Sequence, residues 1–319
     1  MKKKTIQNVA IVVILAAVLV LLSELGIVST SKLLILQYIG IYSIMVLGIN
    51  IVNGYTGIFS LAHAGFMAVG AYAAALCTRY VFTAPYLFPL ALLAGGLAAM
   101  CVGLLVAVPS FKSKGDYLAI ITLGFTLMVQ SIFQNAEIVG ASRGMTNIAK
   151  NTNLYWVFAC LVIAVIIVNR FIASKYGRCL KAIREDQVAT QLVSVNVRKA
   201  KTVAFALSAF LIGVSGALLC HLLGYTSPSS YGYTNVVDGL VMVYIGGTGS
   251  ITGSITGAAI WQIIVQVLKE LGTWRWVVGG VLLCLVMIFL PQGIFGYKEI
   301  GDVWKRLKAR KGNKGRKEA

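Results

Sequence analysis

The chain has 319 residues, 58% of them hydrophobic and only 12% charged, with a mean hydropathy of +0.85. No water-soluble fold can bury so large an apolar share, so the bilayer is its solvent. The net charge of +18, from 28 Lys and Arg against 10 Asp and Glu, fits either nucleic acid or membrane topology.

A spanning helix takes about 20 mostly apolar residues. Roughly ten such windows can be drawn, at 8–28, 33–52, 57–78, 86–108, 117–139, 154–172, 202–223, 235–251, 254–269 and 275–290. The third, eighth and ninth are Gly-rich or short. The prediction is therefore an all-α polytopic membrane protein, a bundle of 8–10 transmembrane helices with some short or broken, since helices satisfy their own backbone in lipid. The first window follows Lys2, Lys3 and Lys4 and runs into Glu24-Leu25-Gly26 without a small-residue cleavage site, so it reads as a retained span. With ten spans and the N-terminus inside, 22 of the 28 Lys and Arg are cytoplasmic; only Lys32, Arg79, Arg143, Lys150, Lys269 and Arg275 fall outside. That asymmetry obeys the positive-inside rule, so the charge expresses topology and not a nucleic-acid footprint, and both termini are expected in the cytoplasm.

The third window opens unusually, with Asn53-Gly54-Tyr55 and then Gly57, Ser60 and His63 where a lipid-facing helix would carry Leu or Val. Gly54 and Gly57 permit a break. Asn53, Ser60 and His63 either line a pathway or cross-link helices, as polar groups at membrane depth do. The fifth window begins Gly115-Asp116-Tyr117 and carries Thr122; Asp116 reads as a cap of the helix start, with ligand contact as the alternative.

Between the sixth and seventh windows lies a charged, helix-compatible segment, 174–201, on the Lys/Arg-rich side. Leu180, Ala182 and Ile183 form one apolar patch, Lys181 and Glu185 sit at i, i+4, and Val188, Leu192 and Val195 recur after a polar turn. This predicts two short amphipathic helices, one of them able to bury an apolar knob in a partner's groove; a helix lying on the membrane surface is the alternative. Further on, Asp238 falls within a span, where a carboxylate costs about 2.5–3.5 kcal/mol on insertion scales. It is expected near the outer end, binding a substrate ammonium or pairing. Gly246-Gly247-Thr248-Gly249 can unwind the helix, and the tandem 249–257 (GSITGSITG) sets small residues at the spacing that lets two backbones approach.

The tail, 297–319, places Ile300, Val303, Trp304 and Leu307 on one stripe among basic residues, an interfacial amphipathic helix beside membrane lipid. It is set apart from a permease domain, 1–296, that includes the 174–201 loop. Six scattered cysteines without CxxC spacing read as buried structural thiols. No HExxH, GxSxG or GxxxxGK[ST] occurs, so neither a catalytic set nor an ATP-cradling P-loop is expected on this chain.

Taken in order, Asn53-Gly54-Tyr55, Gly57, Ser60-Leu61, His63-Ala64, Phe66, Gly70-Ala71-Tyr72, Gly115, Tyr117 to Ile120, Thr122-Leu123, Phe125, Gly177-Arg178, Ala182-Ile183-Arg184, Ile245-Gly246-Gly247 and Gly249-Ser250 resemble the permease subunits of branched-chain amino-acid ABC importers, of the LivM-like type. The resemblance covers about 53–292. It implies a bacterial cytoplasmic-membrane subunit working by alternating access, with no cofactor of its own. Its partners would be two cytoplasmic P-loop ATPase subunits that bind ATP and Mg, a sister permease and an extracytoplasmic solute-binding protein. It makes 177–196 the coupling loop, with Gly177, Arg178, Ala182, Ile183, Arg184 and Glu185 gripped by the ATPase. The pathway set becomes Asn53, Tyr55, Ser60, His63, Thr122, Asp238, Gly246 and Gly247. Departures from the family pattern are Ala189-Thr190-Gln191, Ser194 in place of glycine, and Arg143 in the outer loop. Because related permeases carry urea and short amides, that cargo is the alternative to branched-chain amino acids. A stand-alone secondary transporter or channel is a further reading, and an intramembrane enzyme would have only His63 and Asp238 to start from.

Overall fold

The computed structural model describes residues 30–81, 84–111, 117–272, 274–289 and 293–294. The first window, Asp116 and the tail helix lie outside the described residues. In chain order the helices are α1 (Thr30–Ile49), α2 (His63–Tyr80), α3 (Phe88–Ser110), α4 (Tyr117–Asn135), α5 (Leu154–Ala173), α6 (Lys175–Glu185), α7 (Gln187–Leu192), α8 (Val197–Leu223), α9 (Tyr233–Gly246), α10 (Ile251–Val267) and α11 (Trp274–Phe289). Between α1 and α2 the chain passes through a π-helix, Asn50–Tyr55. No strand occurs among the described residues; a single bridge, Met145 with Thr226, ties the loop before α5 to the one after α8.

Five described segments are long and apolar enough to cross a membrane: Ser31–Tyr55, Pro85–Ser110, Tyr117–Asn135, Leu154–Ala173 and Val197–Leu223. The remaining predicted spans are shorter or richer in small residues, α10 having 17 residues and α9 only 14. The window drawn at 57–78 starts later than predicted, at His63, because 56–62 is irregular.

Helix α8 is the hub, packed against α1, α2 and α3. Its small residues allow this: a Cβ on Gly213 would strike Ala99 and the Gly95 carbonyl of α3, and one on Gly70 of α2 would strike the Gly213 backbone. In lipid, close backbone approach supplies the dispersion contact that burial supplies in water. Phe66 wedges beside this seam, meeting Phe125 of α4 and Phe205 of α8 with ring centroids 5.3 Å away in each case. Helices α3, α4 and α5 form the periphery and keep broad apolar faces outward, including Leu93, Leu97, Ile120, Met128 and Ile163. The six cysteines are all free thiols, but not all are buried as predicted: Cys220 is buried, while Cys101 and Cys284 face outward.

Three short polar side chains set where the water-side helices begin. Ser174 accepts from the Gly177 N–H and starts α6, Asp186 accepts from Val188 and Ala189 (2.8 and 3.1 Å) and starts α7, and Asn196 accepts from Lys199 (2.9 Å) and starts α8. Segment 174–201 is thus two short helices followed by the entry into the hub. Ser194 adopts φ +58° in the turn between α7 and α8.

Candidate functional site: two helix breaks backed by a cytoplasmic helix

The first break follows α1. Its π-turn leads into 56–62, where Gly57 has φ +70°. Such a segment needs partners for the backbone groups that a helix would pair internally. Asn53 supplies two, its amide donating to the Ser60 carbonyl (3.3 Å) while its Oδ1 accepts from the Ser60 N–H (3.2 Å). Thr122 of α4 accepts from the Leu61 N–H at 2.9 Å, and Thr126, one turn on, donates to the Leu61 carbonyl at 2.9 Å. Asn53, Thr122 and Thr126 are therefore the side chains that hold the break, Ser60 taking part through its backbone.

The second break separates α9 from α10. Gly247 (φ +115°) and Gly249 (φ +87°) adopt conformations open to glycine but strained for other residues. Helix α9 stops at Gly246 as the sequence predicts, and the Ser250 hydroxyl caps α10 by accepting from Gly253 (3.1 Å). The small-residue tandem packs α10 onto α9, since a Cβ on Gly246 would collide with Gly253 and one on Gly257 with the Met242 carbonyl.

Asn50, the first residue of the π-turn, joins the two breaks. Its Oδ1 accepts from the Gly249 N–H (2.7 Å), and its amide donates to the Ser250 carbonyl (2.9 Å) and the Ser254 hydroxyl (2.7 Å). It is 1% exposed. The sequence reading passed over Asn50, although a carboxamide at the end of a long apolar run, three residues before Asn53, was the available signal.

His63 sits at the start of α2 with its Nε2 3.1 Å from the Val236 carbonyl, cross-linking α2 to α9. Together with Asn53, Ser60 and Ser208 it lines a cavity of about 10 Å³, room for a single water. Asp238 does not line that small cavity. It lies eight residues before Gly246, about 12 Å along α9, half-buried and within electrostatic reach of Tyr42.

Helix α6 lies against the first break and faces the second across a cavity. Tyr55 and Gly249 from the breaks, and Lys181, Ala182, Arg184 and Glu185 from α6, line an open cavity of about 400 Å³. The Arg184 side chain passes directly over Gly57, whose missing Cβ would stand 3.0 Å from Cγ of Arg184. The Lys181 ammonium is 5.9 Å from the Tyr55 ring centroid. Gly177 allows the tight turn out of α5, and Arg178 donates to the Ala173 carbonyl (3.1 Å), closing the end of that helix. The apolar patch expected on α6 is divided: Leu180 and Ile183 turn into the bundle, 0% and 5% exposed, whereas Ala182 faces out. The reason is helical geometry, which puts 180 and 183 on one face and 182 on another. The outward apolar side chains belong to the next helix and its end, Val188, Leu192 and Val193.

Such an arrangement can transmit motion. A short helix with a solvated outer face touches the first break through Arg184 and Lys181, and Asn50 ties that break to the second, so a push on α6 has a route to both.

Comparison with known proteins agrees with this reading of the architecture. The profile of a family described as branched-chain amino acid transport system / permease component matches residues 31–291. The chain is 30% identical to the high-affinity branched-chain amino acid transport system permease protein LivM of Escherichia coli, over 80% of this chain and 67% of that protein. It is 25% identical to the corresponding LivH protein of Salmonella typhimurium, over 82% and 93%. To a probable LivM of Methanocaldococcus jannaschii it is 24% identical, over 84% and 94%. No solved structure matches it significantly. The chain belongs to the branched-chain amino acid transport permease family.

Proposed function

We propose that this chain is a transmembrane subunit of an ATP-driven importer for branched-chain or related hydrophobic amino acids. The observation that carries the proposal is α6 packed on the first helix break, with Arg184 over Gly57 and the two breaks tied together through Asn50. Relatives named LivM and LivH support branched-chain amino acids over the urea and short-amide alternative. They also support an assembly in which a sister permease, two P-loop ATPases and an external binding protein complete the machine.

In this scheme the ATPase subunits grip the outward surface of 174–201, formed by Arg178 and the exposed Val188, Leu192 and Val193, with Ala182 and Glu185 at its edge beside the cavity. Closure of the ATPase dimer displaces α6. The displacement reaches Gly57 through Arg184 and the α9–α10 break through Asn50, and the ends of α1, α2, α9 and α10 shift together. That shift opens the cytoplasmic end of a pathway lined in part by Asn53, Tyr55, Ser60, His63, Thr122, Gly246 and Gly247, with Asp238 nearer its outer end. The chain itself carries out no bond chemistry. The apolar helices and the relatives support a multi-pass protein of the bacterial cytoplasmic membrane, and the charge asymmetry of the sequence supports 174–201 and both termini in the cytoplasm.

The test is transport by the assembled complex in proteoliposomes containing the binding protein. ATP-dependent accumulation of radiolabelled leucine, abolished when Arg184→Glu is introduced, is the expected result. Uptake by this chain alone, driven by a proton or sodium gradient, would replace the proposal with a secondary transporter.

A further inference from the structure

On α6, Lys181 and Glu185 stand at i, i+4, the spacing at which opposite charges on an exposed helix pair with each other. Here they do not. Among the described residues the Lys181 ammonium has only the Tyr55 ring, 5.9 Å away, and the Glu185 carboxylate has no hydrogen-bond or ion-pair partner. Both line the same cavity of about 400 Å³, between α6 and the two breaks, with Tyr55, Ala182, Arg184 and Gly249 completing its wall. The volume suits a small molecule. The wall offers the Lys181 cation, the Glu185 anion one helical turn away, the Tyr55 ring beside them, and a second cation at Arg184, which is held over Gly57. A ligand bearing one carboxylate, one ammonium and an apolar body answers Lys181, Glu185 and Tyr55 together, whereas a simple anion or cation leaves Glu185 or Lys181 unanswered.

We propose that this cavity is a cytoplasmic binding site for a free zwitterionic amino acid, its carboxylate at Lys181, its ammonium at Glu185 and its side chain against Tyr55. The site shares Tyr55 with the wall of the transport pathway and lies beside the helix that must move. A bound amino acid fills the space between α6 and the breaks and holds α6 off Gly57 and Gly249, so imported product slows further import. The proposal rests on the amino-acid reading above.

The experiment uses the whole importer complex without its external binding protein, in nanodiscs, and measures equilibrium binding of tritiated leucine. Isopentylamine and 4-methylpentanoate, which lack the carboxylate and the ammonium respectively, serve as competitors. The expected result is saturable leucine binding that neither single-charge analogue displaces. It weakens about tenfold or more in Lys181→Glu and in Glu185→Lys, since hydrogen bonds to charged groups are lost, and recovers in the doubly exchanged variant. The exchange carries its own control for folding, because a misfolded single variant is not repaired by a second charge reversal. Leucine preloaded on the α6 side of proteoliposomes slows ATP-driven uptake in the unaltered complex and not in Lys181→Glu. Absence of binding, binding untouched by the single exchanges, or equal competition by either analogue would overturn the site. Failure of the complex to import leucine at all would instead remove the amino-acid reading beneath it.

Discussion

Replacing Asn50 by alanine tests whether the two breaks are held as one unit. In the structure the Asn50 carboxamide makes three hydrogen bonds across the junction, to Gly249 N–H, Ser250 carbonyl and Ser254 hydroxyl. The loss is unequal among them. The Ser250 carbonyl still accepts from the Ser254 N–H and hydroxyl, at 3.1 and 3.0 Å, so its loss is only the net value of one bond, about 1 kcal/mol. The Gly249 N–H is left buried and orphaned, at about 1–3 kcal/mol. Asn50→Ala should therefore destabilise the protein by roughly 2–4 kcal/mol, and Ser254→Ala alone by about 1 kcal/mol. The assay is equilibrium unfolding in mixed detergent–SDS micelles, run as a double-mutant cycle, with leucine uptake by the reconstituted complex measured alongside. The clamp predicts coupling of at least about 0.5 kcal/mol between Asn50 and Ser254, and uptake that falls further than the remaining folded fraction explains. Additive effects with proportionate uptake would show that the breaks are not joined through Asn50, and the transmission scheme would lose its link to α9 and α10.

Other consequences are as direct. Ser194 pays for φ +58° with a side chain in the left-handed region, so Ser194→Gly should stabilise the protein by roughly 1 kcal/mol in the same unfolding assay; a loss of stability would refute the strain. Ile183→Asp buries a carboxylate among apolar neighbours and should cost about 3 kcal/mol or more, reducing the yield of folded protein. Leu192→Asp, at a side chain 83% exposed, should fold normally but weaken association with the ATPase, measured by co-purification yield; equal folded yields for the two variants would contradict the inward and outward assignment. Gly57→Val, at φ +70° beneath Arg184, should abolish uptake, while Gly124→Ala, with open space around it, should leave uptake unchanged.

Much of this architecture was legible in the sequence because lipid imposes simple rules. Apolar runs of spanning length located α1, α3, α4, α5 and α8, and glycines at 54, 57, 246, 247 and 249 marked both breaks. Segment 174–201 was read as two short helices because its charges exclude it from the bilayer and its apolar spacing is helical. The facing of α6 was misread, since Leu180, Ala182 and Ile183 lie close in sequence but 182 points away from the other two around the helix. Asn50 was missed for a different reason: its role depends on Gly249 and Ser250, about 200 residues away, and no local pattern announces a long-range partner. Thr126 was passed over likewise, although it repeats the Thr122 contact one turn along α4. That Asp238 comes within electrostatic reach of Tyr42 is also a tertiary fact.

The central claim is that the 174–201 segment is the handle through which an ATPase moves the helix breaks. The most direct measurement introduces Leu192→Cys in an otherwise cysteine-free chain, attaches a short photocrosslinker in the native membrane, and identifies the adduct by mass spectrometry. The account predicts a P-loop ATPase subunit, with crosslinking yield changing when ATP is bound. Adducts only to lipid, or only to this chain, would contradict it.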